Sequence, residues 1–243
     1  MFTEAHTHKN TVLQFSGGKD SLCVLHYLRP HWDQLTVLWA NSGAAFPETE
    51  ALMAEIKALV PHFAEVNSDQ KSWVAAYGFP VDTIPVRNSG FGHDMEQGDR
   101  IKLQPYVTCC GKNVWQPLAE YCSVANGVTT VIRGQRIQEK LKSPLRNGYV
   151  EAGVTHLMPI EDWSTEQVFD FLRAHDVKIP AYYSVTDSSL DCWSCTAYLS
   201  EVGRFKWLRT HYAERYALVR DRIHSIQAAL THSLTEVNAV LEV

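Results

Sequence analysis

The chain has 243 residues, of which 45% are hydrophobic and 20% charged, with a formal net charge of −5. That is enough apolar material to bury one α/β core, with room for a helical appendage. The negative balance excludes nucleic-acid binding by the surface as a whole, though not by a local basic groove.

No run of about 18 apolar residues occurs, and Glu4 with polar neighbours follows Met1 in place of a basic-then-apolar leader. The expectation is a cytoplasmic chain with no membrane contact. In such a reducing compartment six cysteines read as metal ligands, core residues or nucleophiles, not as a disulfide framework.

Thr11–Phe15 has the length and β-branched start of a buried strand, and Asp20–Tyr27 reads as a helix with Leu22, Val24 and Leu25 turned inward. Leu35–Trp39 is a second strand, Ala40–Phe46 a loop, and Pro47 opens a helix where its missing N–H costs nothing. Phe63–Val66 reads as a third strand and Gln70–Tyr77 as a weak helix. Asn88–Pro105, with Gly90, Gly92 and Gly98, is the longest irregular stretch and a candidate flap.

Asn113–Ala125 reads as a helix ended by Asn126-Gly127, and Val128–Ile132 as a strand closing on Arg133-Gly134-Gln135-Arg136. Ser164-Thr-Glu-Gln167 is a capping box. From Tyr212 on, Tyr216, Val219, Ile223, Ile226, Leu230, Val237 and Leu241 keep a three/four spacing. That stripe predicts a long amphipathic helix, packed on the body or forming a homodimer contact. The fold class is therefore α/β: a mostly parallel twisted sheet with helices on both faces, residues 1–200, followed by a C-terminal helical extension, residues 201–243.

Between the first strand and helix stands Ser16-Gly17-Gly18-Lys19-Asp20-Ser21. Two glycines let the backbone bend and bring its N–H groups against an anion, and the helix N-terminus adds unpaired donors and partial positive charge. Lys19 supplies a point charge for phosphate oxygens, and Ser16 and Ser21 supply hydroxyls. Asp20 would repel a bare phosphate, so its natural task is to hold Mg²⁺ or a ribose hydroxyl.

The hexapeptide resembles the pyrophosphate loop of the adenine-nucleotide α-hydrolase-like superfamily, which holds ATP pyrophosphatases and phosphoadenylyl sulfate (PAPS) reductases. It has neither the Walker spacing nor the dinucleotide Gly-x-Gly-x-x-Gly. Asn41-Ser-Gly-Ala-Ala-Phe-Pro-Glu-Thr49 resembles the Asp-Thr-Gly-x-x-Phe-Pro-Glu-Thr stretch of PAPS and adenylyl sulfate reductases, with Asn41 and Ser42 in place of its first two residues. Gly134-Gln-Arg136 resembles their Gly-x-Arg element, and Pro159–Trp163 their Pro-Leu-x-Asp-Trp segment. The resemblance covers about residues 11–200. It implies an adenine nucleotide held by Ser16–Ser21, Asn41 and Gly134, with Lys19, Asp20 and Arg136 at the reacting phosphate.

Cys109-Cys110 and Cys192-Trp-Ser-Cys195, with Pro117-Leu118 after the first pair, resemble the [4Fe–4S] ligand set of adenylyl sulfate reductases. Two adjacent thiolates reach two irons of a cube more easily than two corners of one small ion, and a Cys-x-x-Cys at a helix start gains thiolate stability. Structural zinc and four unligated core thiols are the alternatives. Cys23, on an apolar helix face, and Cys122 read as small core hydrophobes. Arg133, Arg136, Lys140, Lys142 and Arg146 form a basic cluster that lines an anionic path or is a solvated strip. The eleven histidines show no zinc pattern.

Sulfonucleotide reductases place a nucleophilic cysteine in a C-terminal Glu-Cys-Gly-Leu-His, and this sequence has no cysteine after Cys195. Its phosphate loop, by contrast, is the full form found where ATP is split to AMP and pyrophosphate. The resemblance therefore implies an ATP-dependent adenylating or sulfur-transfer enzyme, similar to those that modify tRNA or place phosphorothioates in DNA. A sulfur donor or redox protein and a nucleic-acid acceptor are the implied partners. The other readings are a sulfonucleotide reductase using a cysteine supplied elsewhere, and a non-catalytic nucleotide-sensing subunit.

Overall fold

The structure is a computed structural model that describes residue 3 and residues 5–81, 101–138 and 145–242. Its main sheet has six strands in the order β3-β2-β1-β6-β8-β7, and a separate two-stranded sheet pairs β4 with β5. The strands are β1 (Thr11–Gln14), β2 (Thr36–Asn41), β3 (Phe63–Asn67), β4 (Phe79–Val81), β5 (Leu103–Pro105), β6 (Thr130–Ile132), β7 (Tyr149–Glu151) and β8 (Val154–Leu157). Every pairing in the main sheet is parallel except the β7–β8 hairpin.

Alternation along the strands feeds two cores. Leu13, Val37 and Ile132 face α1 (Lys19–Tyr27), through Leu22 and Leu25, and α6 (Thr165–Ala174), through Val168 and Leu172. Val12, Leu38 and Val131 face the other way, onto Cys122, Val128 and Leu118. The central strands β1, β2 and β6 are thus buried on both faces, as a doubly covered parallel sheet requires.

β1 pairs with β2 on one side and β6 on the other, so the chain reverses its direction of travel across the sheet between β1 and β6. A crevice opens at the carboxyl ends of the strands at such a switch point, and it is the usual ligand site of open α/β sheets.

Remaining helices are α2 (Pro47–Leu59), α3 (Gln70–Tyr77), α4 (Tyr106–Cys110), α5 (Gln116–Tyr121), α7 (Val202–His211) and α8 (Ala213–Leu241). The Ser164 capping box is fully formed, with Ser164 Oγ accepting from Gln167 N and Gln167 Oε1 from Ser164 N. The C-terminal helices are not detached. Leu208 and Val219 pack on Phe46, Tyr182 and Leu190, and Ile226 packs on Val81 and Leu103. Beyond Leu230, Leu234, Val237 and Leu241 are exposed.

Four expectations need correction or restriction. The stretch Asn88–Pro105 is not irregular throughout, because Leu103–Pro105 forms β5 on β4; residues 88–100 lie outside the described residues. Cys109 and Cys110 end helix α4, and a π-helical turn (Gly111–Trp115) joins it to α5, where a single helix from Asn113 was expected. Pro117 supplies the reason: it has no N–H for the Asn113 carbonyl, and Ser68 Oγ donates to that oxygen instead at 2.8 Å. Cys192–Cys195 is not at a helix start, since it forms a turn whose Cys192 bridges Ala45 and α7 begins only at Val202. The helix-dipole argument for those two thiols therefore lapses. Finally, Arg133 and Arg136 are not part of a solvated strip: Arg136 is buried and Arg133 half-buried, while Lys140 and Lys142 lie outside the described residues.

Candidate functional site

The loop Ser16–Ser21 leaves the end of β1 at the switch point. Gly17 has φ +79°, a conformation side chains rarely adopt, and Gly18 caps α1 with no side-chain bond from its own residue. The turn is closed by its own serines. Gly18 N donates to Ser16 Oγ at 3.3 Å, Ser21 Oγ donates to the Gly18 carbonyl at 3.0 Å, and the two hydroxyls lie 3.2 Å apart. With Ser21's proton spent on Gly18, Ser16 is the donor between them. In this arrangement the hydroxyls shape the loop. The N–H groups of Asp20 and Ser21, in the first turn of α1, have no intrahelical acceptor.

Gly134, after β6, lies directly on that first turn. A Cβ there would stand 2.7 Å from the Asp20 carbonyl carbon and 2.8 Å from Ser21 N, both backbone atoms that cannot step aside. The element expected to touch nucleotide is thus seated against the phosphate loop. Gly134→Ala is expected to destabilise the fold by about 1–3 kcal/mol through overpacking, read in a denaturant titration.

Charges run in a row beside the loop. Lys19 Nζ is 3.0 Å from Asp20 Oδ2, and Arg136 Nε is 2.7 Å from Asp20 Oδ1. Arg136 also donates to the Trp163 carbonyl at 3.0 Å and to Thr165 Oγ1 at 3.3 Å, at the start of α6. Both oxygens of Asp20 are engaged, so an ion held there would share Oδ2 with Lys19. Asn41 is turned to its own neighbourhood, with Oδ1 accepting from Gly43 N and Nδ2 donating to Glu65.

The four cysteines lie in one region beyond the β2 loop, close enough to raise one another's thiols. Ser42 Oγ lies 3.2 Å from Cys192 Sγ, Trp193 N donates to the Ala44 carbonyl, and Asn113 Nδ2 donates to the Cys109 carbonyl at 3.0 Å. Burial pushes the Cys109 thiol up to about 11 and Cys110 up to about 12, and Cys195 adds to both shifts. Cys192 is raised by burial too, against the pull of its Ser42 bond, with Cys195 and Cys110 contributing.

The thiols are therefore near neighbours without a disulfide. The donor set, four unpaired thiols from two segments, suits a cluster or zinc by chemistry. As the side chains stand, however, no three His, Cys, Asp or Glu among the described residues converge closely enough to hold an ion. No reaction step is assigned to a metal here.

Cys23 is fully buried and pushed up to about 12, chiefly by burial. Cys122 is also buried, accepts from Gln14 Nε2 at 3.6 Å and is raised for the same reason. A raised folded value means that the Cys23 contribution to stability is whole below about pH 9, where the unfolded thiol ionises, and is lost as the pH climbs toward 12. Folded protein at pH 9 is thus expected to leave Cys23 unalkylated by iodoacetamide, with denatured protein reacting; mass spectrometry reads the difference.

Two residues escaped the sequence argument. Tyr183 OH accepts from Lys19 N at 2.7 Å, which puts a residue from the end of the domain inside the phosphate loop. Asp191 keeps a solvent-facing surface, yet the protein packed round it pushes its carboxyl up, opposed by its bond to Ser189 Oγ. Neither belongs to a spacing pattern; only the Gly18–Ser189 contact in the fold brings that segment to the loop.

The model of the phosphoadenosine phosphosulfate reductase domain matches residues 10–198. The chain belongs to that family. Among relatives of this family member, an adenosine 5′-phosphosulfate reductase of Rhizobium meliloti is 23% identical over 182 residues, 71% of this chain and 62% of the relative. An uncharacterised protein of Methanocaldococcus jannaschii is 23% identical over 190 residues, 76% of this chain and 41% of that one. The chain thus spans less than two thirds of the length of both.

In fold, the family member is similar to the phosphoadenylyl-sulfate reductase of Candida auris (TM-score 0.54, 15% identity, 78% of this chain and 84% of that chain). It is also similar to the FMN adenylyltransferase of Candida glabrata (TM-score 0.51, 14% identity, 77% and 56%). No helix among the described residues is long and apolar enough to cross a membrane.

Proposed function

We propose that the chain binds ATP at residues 16–21 and activates an acceptor by adenylation, in the service of sulfur transfer. One observation carries this reading: at the switch point the Lys19 ammonium and the open first turn of α1 converge on a glycine loop already folded by Ser16 and Ser21. ATP enters as its Mg²⁺ complex. An acceptor oxygen attacks the α-phosphorus, the bond to the β-phosphate oxygen breaks, and pyrophosphate leaves with that electron pair. The acceptor's proton passes to solvent and the acceptor retains AMP until sulfur displaces it. Lys19 offsets the charge gathering on the leaving oxygens. Asp20 holds Lys19 in place, and Arg136 fixes Asp20 from the other side. Gly134 and Asn41 close the crevice at the nucleotide's edge.

The four cysteines are assigned to a [4Fe–4S] cluster, with zinc as the alternative, which would bind sulfur or tie the 192–195 turn to α4. Anaerobically purified protein is expected to be brown, with a broad absorption near roughly 400 nm and bound iron and sulfide. A colourless preparation with one tightly held zinc would assign the site to structural zinc.

The reading is tested by supplying Mg²⁺–ATP, sulfide and total tRNA or DNA and assaying pyrophosphate. Release that disappears in Lys19→Ala supports it. Nucleotide binding without any product would make the chain a sensing subunit. The names of the relatives favour a second reading, reduction of a sulfonucleotide by a cysteine. Incubation with adenylyl sulfate and mass spectrometry for a sulfonate adduct separates the two. Buried, raised Cys23 and Cys122 are expected to stay unmodified.

A further inference from the structure

Tyr183 sits in the short turn Ala181–Ser184, far along the chain from the loop it touches. Its hydroxyl accepts the Lys19 N–H at 2.7 Å, and the Lys19 ammonium lies 5.8 Å from its ring centroid. The ring is wedged between Phe169, edge-on at 5.6 Å, and Tyr182 at 4.6 Å. Swinging the ring away would break both contacts and open the core around Phe46 and Leu190. It therefore stays in place when a ligand arrives.

A phenol has one proton and two lone pairs. One lone pair takes the Lys19 N–H at 2.7 Å. Among the described residues no hydrogen bond takes up the Tyr183 proton itself. Burial holds the phenol up at about 12, so that proton is present at any physiological pH. An N–H donated to the oxygen polarises it and strengthens the O–H as a donor.

We infer that the Tyr183 hydroxyl is a ligand of the nucleotide's phosphate chain, donated from outside the loop and acting beside Lys19. This rests on the phosphate-loop reading and adds a specificity-determining contact to it. A ligand without a polyphosphate gains nothing from Tyr183. Tyr182, whose ring centroid lies 4.6 Å from that of Tyr183, would then orient it.

The test is calorimetric titration of the full chain with inorganic pyrophosphate, ATP and adenosine, for wild type, Tyr183→Phe and Lys19→Ala. Tyr183→Phe is expected to bind pyrophosphate and ATP about tenfold more weakly and adenosine unchanged, with Tyr183→His, which restores a donor, recovering part of the loss. Pyrophosphate affinity equal to or above wild type in Tyr183→Phe, with Lys19→Ala weakened, would reduce Tyr183 to a cap on α1 and overturn the inference alone. If neither variant changes pyrophosphate binding, the phosphate-loop reading itself fails. Should Tyr183→Phe lose its near-ultraviolet circular dichroism, fluorotyrosine-labelled wild type replaces it. A fluorine signal that moves with pyrophosphate but not with adenosine supports the contact, and no such movement overturns it.

Discussion

Lys19→Ala is expected to weaken ATP binding by about 1.5–3 kcal/mol, roughly 10- to 150-fold in Kd, with little loss of fold stability. The ammonium is largely buried and is held by Asp20 at 3.0 Å, so a phosphate brought to it would meet it in surroundings of low dielectric. Its removal leaves Asp20 paired with Arg136, so the frame of the site survives. Isothermal calorimetry at fixed ionic strength checks the affinity, and a denaturant titration checks the frame. An unchanged Kd would remove Lys19 from the site.

Arg136→Leu is expected to show the opposite balance: a loss of about 3–5 kcal/mol in stability, because a buried charge pair loses one partner. The guanidinium side chain is 3% exposed, and its acceptors include the Asp20 carboxylate, the Trp163 carbonyl and Thr165 Oγ1. Leucine fills the space but leaves those oxygens without their donor. Replacing Asp20 as well, with Asn, removes the carboxylate oxygen left without its donor, though Lys19 then loses its partner, so the double variant is expected to recover only part of the loss. A double variant less stable than Arg136→Leu would show that Arg136 is held by its carbonyl contacts and not by Asp20.

The turn Ser16–Ser21 was legible because its determinants are local: strand, two glycines, lysine and helix stand within one short segment, and Gly17 and the α1 start fall where the residues demand. Pro47 and the Ser164 box likewise placed α2 and α6, since both signals act within one turn. The doubly covered sheet followed from alternating strands and helices, but the β7–β8 hairpin did not. Tyr149–Glu151 is exposed and short, so it carries no apolar period.

The helix break after Cys110 was hidden because it depends on Pro117 meeting Ser68 across the fold. Arg136 was singled out by its Gly-x-Arg resemblance, while its bond to Asp20 was not foreseen, because a guanidinium's partner is set by tertiary packing. Tyr183 and Asp191 gave no local signal at all. Their significance comes only from the turn that lays Ser189 against Gly18.

Phosphorus NMR of Mg²⁺–ATP tests the central claim, binding and cleavage at the α-phosphate side of residues 16–21, most directly. With wild type the β- and γ-phosphorus signals are expected to shift and broaden. On addition of sulfide and total tRNA or DNA, AMP and pyrophosphate signals should replace those of ATP, and Lys19→Ala should show neither change. Formation of ADP and inorganic phosphate, or phosphorus signals that respond to wild type and Lys19→Ala alike, would contradict the account.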